Sequence, residues 1–243
     1  MAGHSRWAKV KNFKGGIDAK RGKIFAKLSK EITIATKIGG GDPGMNPRLR
    51  MALLKSREAN MPKENIDRAI KRGTGEGEQV LYEDLTYEVY APHGVAMVVE
   101  LSTDNRNRTA AEIRSLMTKA GGSIATAGSV TRLFHRKGLM MVSREGVNED
   151  ALMEVALEAG AEDFKAETEG FVVLTDPAHF EVVHKAIEAK GFKCASASVT
   201  HLPTLTVPLT DAAASTAVSK LIESLEDHDD VKEVYSNAEF AAN

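Results

Sequence analysis

The sequence predicts an α+β protein: an N-terminal three-helix bundle with a basic arm, then two ferredoxin-like α+β domains, the third inserted into the second. Three observations carry this expectation. Apolar residues recur at helical spacing in three short runs before residue 75. Past residue 80, strand and helix patterns alternate. Charge is also partitioned: residues 1–75 hold 18 Lys+Arg against 6 Asp+Glu, a net +12, whereas the rest holds 14 against 28, a net −14.

The first twenty residues show no sustained period and contain Gly15-Gly16, so they read as a flexible basic arm. From Ile17, Ile24, Phe25, Leu28, Ile32 and Ala35 keep a helical period that Gly39-Gly40-Gly41 stops. Asn46 can cap a second helix starting at Pro47, with Leu49, Leu53 and Leu54 along it. Pro62 starts a third, with Ile66, Ala69 and Ile70 on its inner face and Gly73 at its end. GTGEGE then reads as a hinge, since its glutamates would repel phosphate. LTYEVYA and VAMVVEL, joined by APHG, form a β-hairpin. Thr109 with Glu112 suggests a capping box for a helix through Lys119, and SVTRLF suggests a strand after it.

The next stretch has a βαββαβ rhythm: GLMMVS, a helix from Asn148 to Ala159, EDFKAE paired with GFVVLT, a helix from Asp176 to Gly191, and FKCASASVT. A helix at 211–225 and a strand at 230–235 finish the chain; alone they are half a unit, so they complete the earlier ββαβ segment. The expected domains are therefore 1–76 for the arm and helices, 77–134 with 203–243 for a discontinuous α+β domain, and 135–202 for the insertion.

Composition narrows the function classes. In 243 residues with 42% hydrophobic content, no apolar run approaches the roughly 18 residues that span a bilayer, and no secretion signal opens the chain. The single cysteine, Cys194, can form neither an internal disulfide nor a thiolate zinc cluster. A cytoplasmic protein without a membrane partner is expected. No HExxH, GxSxG, Walker or dinucleotide pattern is present, and His179 and His184 lie five apart rather than four. The expectation is thus a protein that is not an enzyme, with no cofactor and no metal.

The positive signal is basic. Lys20, Lys23, Lys27 and Lys30, spaced three, four and three, stack along one stripe of a helix whose apolar side lies about a third of a turn away. Like charges at that spacing repel, so an unpartnered stripe weakens the helix. Phosphates would satisfy it, with salt-sensitive, sequence-independent binding. Arg21 lies beside the stripe, and Arg6, Lys9, Lys11 and Lys14 charge the arm. Trp7 among them either stacks on an unpaired base, worth about 1–3 kcal/mol, or anchors the arm to the bundle. Arg48 and Arg50 extend the surface, with Lys55, Arg57, Arg68, Lys71 and Arg72 beyond them. In TDNRNRT, Arg106 and Arg108 near a helix N-terminus form a candidate anion site, or else part of an ordinary turn. The inserted βαββαβ lacks the strand aromatics of an RNA-recognition domain, offering only Phe171.

GHSRWAKVK, DAKRGKIFAKLSKEI, GGGDPGMNPRLR, ANMPKENIDRAIKRG, GVAMVVELSTDNRNRT and AGSVTRLFHRKG closely resemble the YebC/PmpR family along essentially the whole chain. Asn12-Phe13 and YAPHG depart slightly from the family's usual residues. The resemblance implies three domains, with the third inserted in the second. It also implies nucleic-acid contact by the N-terminal domain, on DNA for members named as transcriptional regulators. For members acting in translation, such as the mitochondrial translational activator of cytochrome c oxidase, it implies RNA at the ribosome. The expected function is a non-enzymatic, nucleic-acid-binding regulator of gene expression. A ribosome-associated translation factor is one alternative. Another is a ligand-sensing or protein-docking module, with a protein partner on the acidic domains.

Overall fold

The computed structural model describes residues 18–75 and 81–240. The described chain divides into two units, residues 135–202 (the insert) and the flanking segments up to 134 and from 203 (the host).

The host begins with three helices: α1 (Asp18–Gly39), α2 (Pro47–Glu58) and α3 (Lys63–Gly73). Asn46 caps α2 as expected, its side chain accepting the Leu49 amide at 3.0 Å while its own amide donates to the Ala35 and Gly40 carbonyls. That side chain therefore ties the end of α1 to the start of α2. Ile32, Ala35, Leu49, Ala52, Leu53, Met61 and Ala69 form the bundle core. Gly73 lets α3 reach α1, because a β-carbon there would stand 2.6 Å from Thr36 Cβ and 2.7 Å from the Thr33 carbonyl.

The host sheet runs β3-β1-β2-β9, from β1 (Glu83–Tyr90), β2 (Ala96–Thr103), β3 (Ser123–Ile124) and β9 (Val231–Ser236). Strands β1 and β2 are an antiparallel hairpin, with Tyr87 opposite Val99. Alternation sends Val89, Met97, Val99 and Leu101 toward α4 (Arg106–Lys119) and α7 (Ala212–Glu226), where Ile113, Met117, Val218, Leu221 and Leu225 complete a core. The opposite face, Ala96 and Val98, is covered by Val130 and Phe134. A short parallel pair, β8 (Val207–Leu209) with β10 (Ala238–Phe240), packs against the core shared with α4 and α7 through Val207, Leu209, Ala238 and Phe240.

Two local expectations need correction. SVTRLF is a loop with one 3-10 turn at Thr131–Leu133, followed by Phe134 at the start of the next strand. The buried Glu88 carboxylate accepts the amides of Gly128, Val130 and Thr131 and so holds this segment as a loop. Burial opposes ionisation of Glu88, but those amides outweigh it and hold its pKa below the usual carboxylate value. The cap of α4 is Asn105, which accepts the Arg108 amide at 3.1 Å, rather than Thr109, which sits buried inside the first turn.

The insert has β4 (Phe134–Ser143), α5 (Glu149–Glu158), β5 (Asp163–Ala166), β6 (Gly170–Thr175), α6 (Phe180–Ala189) and β7 (Cys194–Pro203), in sheet order β5-β6-β4-β7. That is the ferredoxin-like order expected from βαββαβ. The helices lie over the face bearing Met140, Val142, Phe171 and Val173. Gly138 leaves room for α6 on that face, since a β-carbon there would overlap the Thr175 hydroxyl and lie 2.9 Å from the Phe180 ring. The fold is mixed α+β with the three helices first, as the sequence predicts. Among the described residues no helix is long and apolar enough to cross a membrane.

Candidate nucleic-acid interface

Helix α1 places Lys23, Lys27 and Lys30 along one side, and the structure gives these ammonium groups partners almost two hundred residues away. They meet the turn between α7 and β9, Glu226-Asp227-His228-Asp229-Asp230-Val231. Lys27 Nζ donates to the Glu226 carbonyl and to the Val231 carbonyl, the latter at 2.8 Å. Lys30 Nζ reaches Asp230 Oδ1 at 2.8 Å, and Lys23 Nζ lies 3.4 Å from Asp227. Glu226 ends α7, so its carbonyl carries the negative end of the helix dipole, a natural seat for a cation. Burial pushes the Lys27 pKa down, against the pull of Asp229, Glu226 and Asp227.

Asp230 is the hub of this cluster. It is 5% exposed, and its other oxygen accepts Arg108 Nη2 and Thr109 Oγ1, each at 2.7 Å. Burial opposes its ionisation, but Lys30, Thr109 and Arg108 prevail and hold its pKa below the usual carboxylate range. Glu112, His228 and Asp230 bring ligand-type atoms within 4.8 Å of one another. The Asp230 carboxylate there is already committed to a lysine, an arginine and a threonine.

The second helix repeats the pattern. Arg48 donates to Glu31 Oε1 and to Asp84 Oδ2, each at 2.7 Å, and Lys232 stands 3.2 Å from Glu31. Burial of the Arg48 guanidinium opposes its charge, but Glu31 and Asp84 outweigh it and raise its pKa. Lys55 meets Glu233 on β9 at 2.5 Å. Arg50 instead clamps the loop before α2, donating to the Pro43 carbonyl at 2.6 Å and the Gly44 carbonyl at 3.0 Å. The candidate anion pair is engaged too: Arg106 lies 3.1 Å from Glu83, and Arg108 lies 3.0 Å from Asp104 besides its bond to Asp230. Positive helices and an acidic sheet edge are thus charge-matched within one unit.

A different set of cations faces solvent. Arg68, Lys71 and Arg72 on α3 are exposed and, at helical spacing, lie opposite Ile66, Ala69 and Ile70; Arg57 on α2 and Lys63 on α3 are exposed as well.

Residues 5–76 match the family description "TACO1/YebC protein N-terminal domain", and residues 82–238 match "TACO1/YebC second and third domain". The chain belongs to the TACO1/YebC family. A probable transcriptional regulatory protein of Treponema denticola is 54% identical over 98% of this chain and 96% of its own length. One from Leptospira biflexa is 49% identical over 98% and 97%. Among solved structures, a conserved hypothetical protein from Aquifex aeolicus superposes with a TM-score of 0.82, at 44% identity over 94% of each chain.

In this TACO1/YebC chain, Arg6, Trp7, Lys9, Lys11 and Lys14 lie outside the described residues, as does the side chain of Lys20. Arg21 is exposed on the first turns of α1. Phe171 is 1% exposed, under the Arg144 guanidinium at 4.9 Å and stacked on Phe164, so its ring is closed to a base. Sequence reasoning missed Asp230, Thr109, Glu31, Asp84 and Glu233 as the partners of the cations. The acidic run EDHDD was a visible signal, but nothing local linked it to a helix near the other terminus.

Proposed function

We propose that this chain is a regulator of gene expression that acts by contacting nucleic acid through its basic N-terminal region. The observation carrying this reading is the exposed α3 face of Arg68, Lys71 and Arg72, in a region of net +12 that includes the arm. Cations at helical spacing with the apolar side turned inward can follow a phosphate backbone. The regulatory names of the relatives agree with this role and with a protein that is not an enzyme. Transcription on DNA is the form those names favour, and RNA at the ribosome is the form the resemblance adds.

The test is fluorescence anisotropy with 30-nucleotide single-stranded RNA, single-stranded DNA and duplex DNA across a salt series. The wild type is compared with the triple variant Arg68→Gln, Lys71→Gln, Arg72→Gln and with a chain starting at Ile17. Affinity should fall for all sequences alike, and the slope of log K against log salt should shrink by about 0.7–0.9 for each phosphate no longer neutralised. Circular dichroism checks that the variants fold. Absence of binding at low salt, or slopes unchanged in both variants, would rule the reading out. Crosslinking in cells, with sequencing of attached DNA and RNA, decides between promoter and ribosome.

A further inference from the structure

The α1 lysine stripe has a partner whose chemistry is that of a polyanion. Between Glu226 and Val231 the chain offers carbonyl oxygens at the negative end of α7 and four carboxylates in five residues, Glu226, Asp227, Asp229 and Asp230. Lys27 and Lys30 meet these oxygens at 2.8 Å, the distance of a charge-assisted hydrogen bond to a phosphate, and Lys23 stands 3.4 Å from Asp227. We infer that the Glu226–Val231 turn is an internal mimic of a nucleic-acid backbone that occupies the lysine stripe, and that bound nucleic acid displaces it. This rests on the nucleic-acid reading above and deepens it by naming a site that is covered until the turn leaves.

The packing permits such an exchange. The bundle closes its own core around Ile32, Leu49, Leu53 and Ala69, while the sheet and its helices close another around Met97, Leu101, Val218 and Leu225. What joins them is charge: Lys23 with Asp227, Lys30 with Asp230, Arg48 with Asp84 and Glu31 with Lys232. A seam of ion pairs parts without uncovering either core, and both sides find water or counter-ions when it does. Burial weakens the hold on Lys27, because it opposes the charge of the ammonium group whose direct partners are neutral carbonyls. The glycine-rich GTGEGE sequence links the bundle to the sheet.

The experiment compares the wild type with Asp227→Asn/Asp229→Asn, which neutralises two exposed carboxylates of the turn and leaves Asp230 in place. Glu154→Gln/Glu158→Gln on α5 removes the same charge far along the chain and serves as the control. The probe is a 30-nucleotide single-stranded RNA, with a duplex DNA of equal length beside it. The turn variant should bind about fivefold tighter than the control. Adding Lys23→Gln, Lys27→Gln and Lys30→Gln to it should abolish the gain. Carbodiimide coupling of Lys23 to Asp227, read by mass spectrometry in the wild type, should fall when the probe is added. Equal affinity of turn variant and control, or a gain that survives loss of the lysines, reduces the effect to net charge and overturns the inference. Binding that leaves the coupling yield unchanged also overturns it. If wild type and variants all fail to bind, the nucleic-acid reading itself falls and takes this inference with it.

Discussion

In the insert, β4 and β6 close on α6 through shape: Gly138 leaves room for the Thr175 hydroxyl and the Phe180 ring, and Met140, Val142 and Phe171 fill the layer above. In the host, α1 reaches the α7–β9 turn through ammonium groups instead, and Asp230 gathers a lysine, an arginine and a threonine. Shape-dependent packing loses energy steeply with one misplaced methyl and is indifferent to salt. Pairing by charge tolerates small displacements and responds to ions, acid and competing polyanions. The segregation of charge along this chain therefore serves folding as well as any partner.

The strongest way to break the comparison is Asp230→Ala. It takes the buried acceptor from the Thr109 hydroxyl and one partner each from the partly exposed Lys30 and Arg108, and should destabilise the host by about 2–3 kcal/mol. Hydrogen exchange should show faster exchange in α1, α4 and β9 while residues 139–142 keep their protection; equal loss in both units would erase the distinction. Gly138→Ala is the converse. It forces a methyl into the Thr175 hydroxyl and should cost about 1–3 kcal/mol, confined to the insert and independent of salt.

Acid should separate the units at different pH. The Asp230, Asp84 and Glu88 pKa values are depressed in the folded state. Their stabilisation is complete above the unfolded carboxylate pKa of about 4 and drains as pH falls through the folded values. In the insert, burial depresses His184, with Glu188 opposing it. That histidine contributes fully above its unfolded pKa of about 6.5 and loses the contribution as pH falls below it. Protection factors, corrected for the intrinsic pH dependence of amide exchange and followed from pH 7 to 3, should thus fall slightly in α6 first, and in α1 and β9 only below about pH 4. The smallest effect expected is from salt. Going from 0.1 to 1 M shortens the screening length from about 10 to 3 Å and should loosen α1 by less than about 1 kcal/mol. Carbodiimide coupling of Lys23 to Asp227 should decline with it.

The fold was largely legible where a local signal stood alone. Asn46 and Asn148 each precede a helix and accept the expected amide, because a capping side chain needs only its own next three residues. The two-residue β3 and the β8–β10 pair escaped notice because strands so short carry no period. SVTRLF misled for the opposite reason, since its apolar residues face a sheet while Glu88, about forty positions earlier, takes its amides. The lysine stripe shows the same limit in the site. Its spacing was readable, but the oxygens it meets lie 199 to 204 positions away, where helix periodicity says nothing.

One small junction carries a consequence for how such a chain can arise. Thr204 donates to the Leu133 carbonyl twice, from its amide at 2.9 Å and its hydroxyl at 3.1 Å, so the chain departs and returns at a single point. For the host backbone, residues 135–202 amount to a tight turn, since closure entropy grows by only about 0.6 kcal/mol for each doubling of length. A graft at such a point leaves the recipient's strand order untouched. The splice between 133 and 204 is where the lineage of the host can have accepted a complete foreign fold in one event, and where an engineer can exchange it for another.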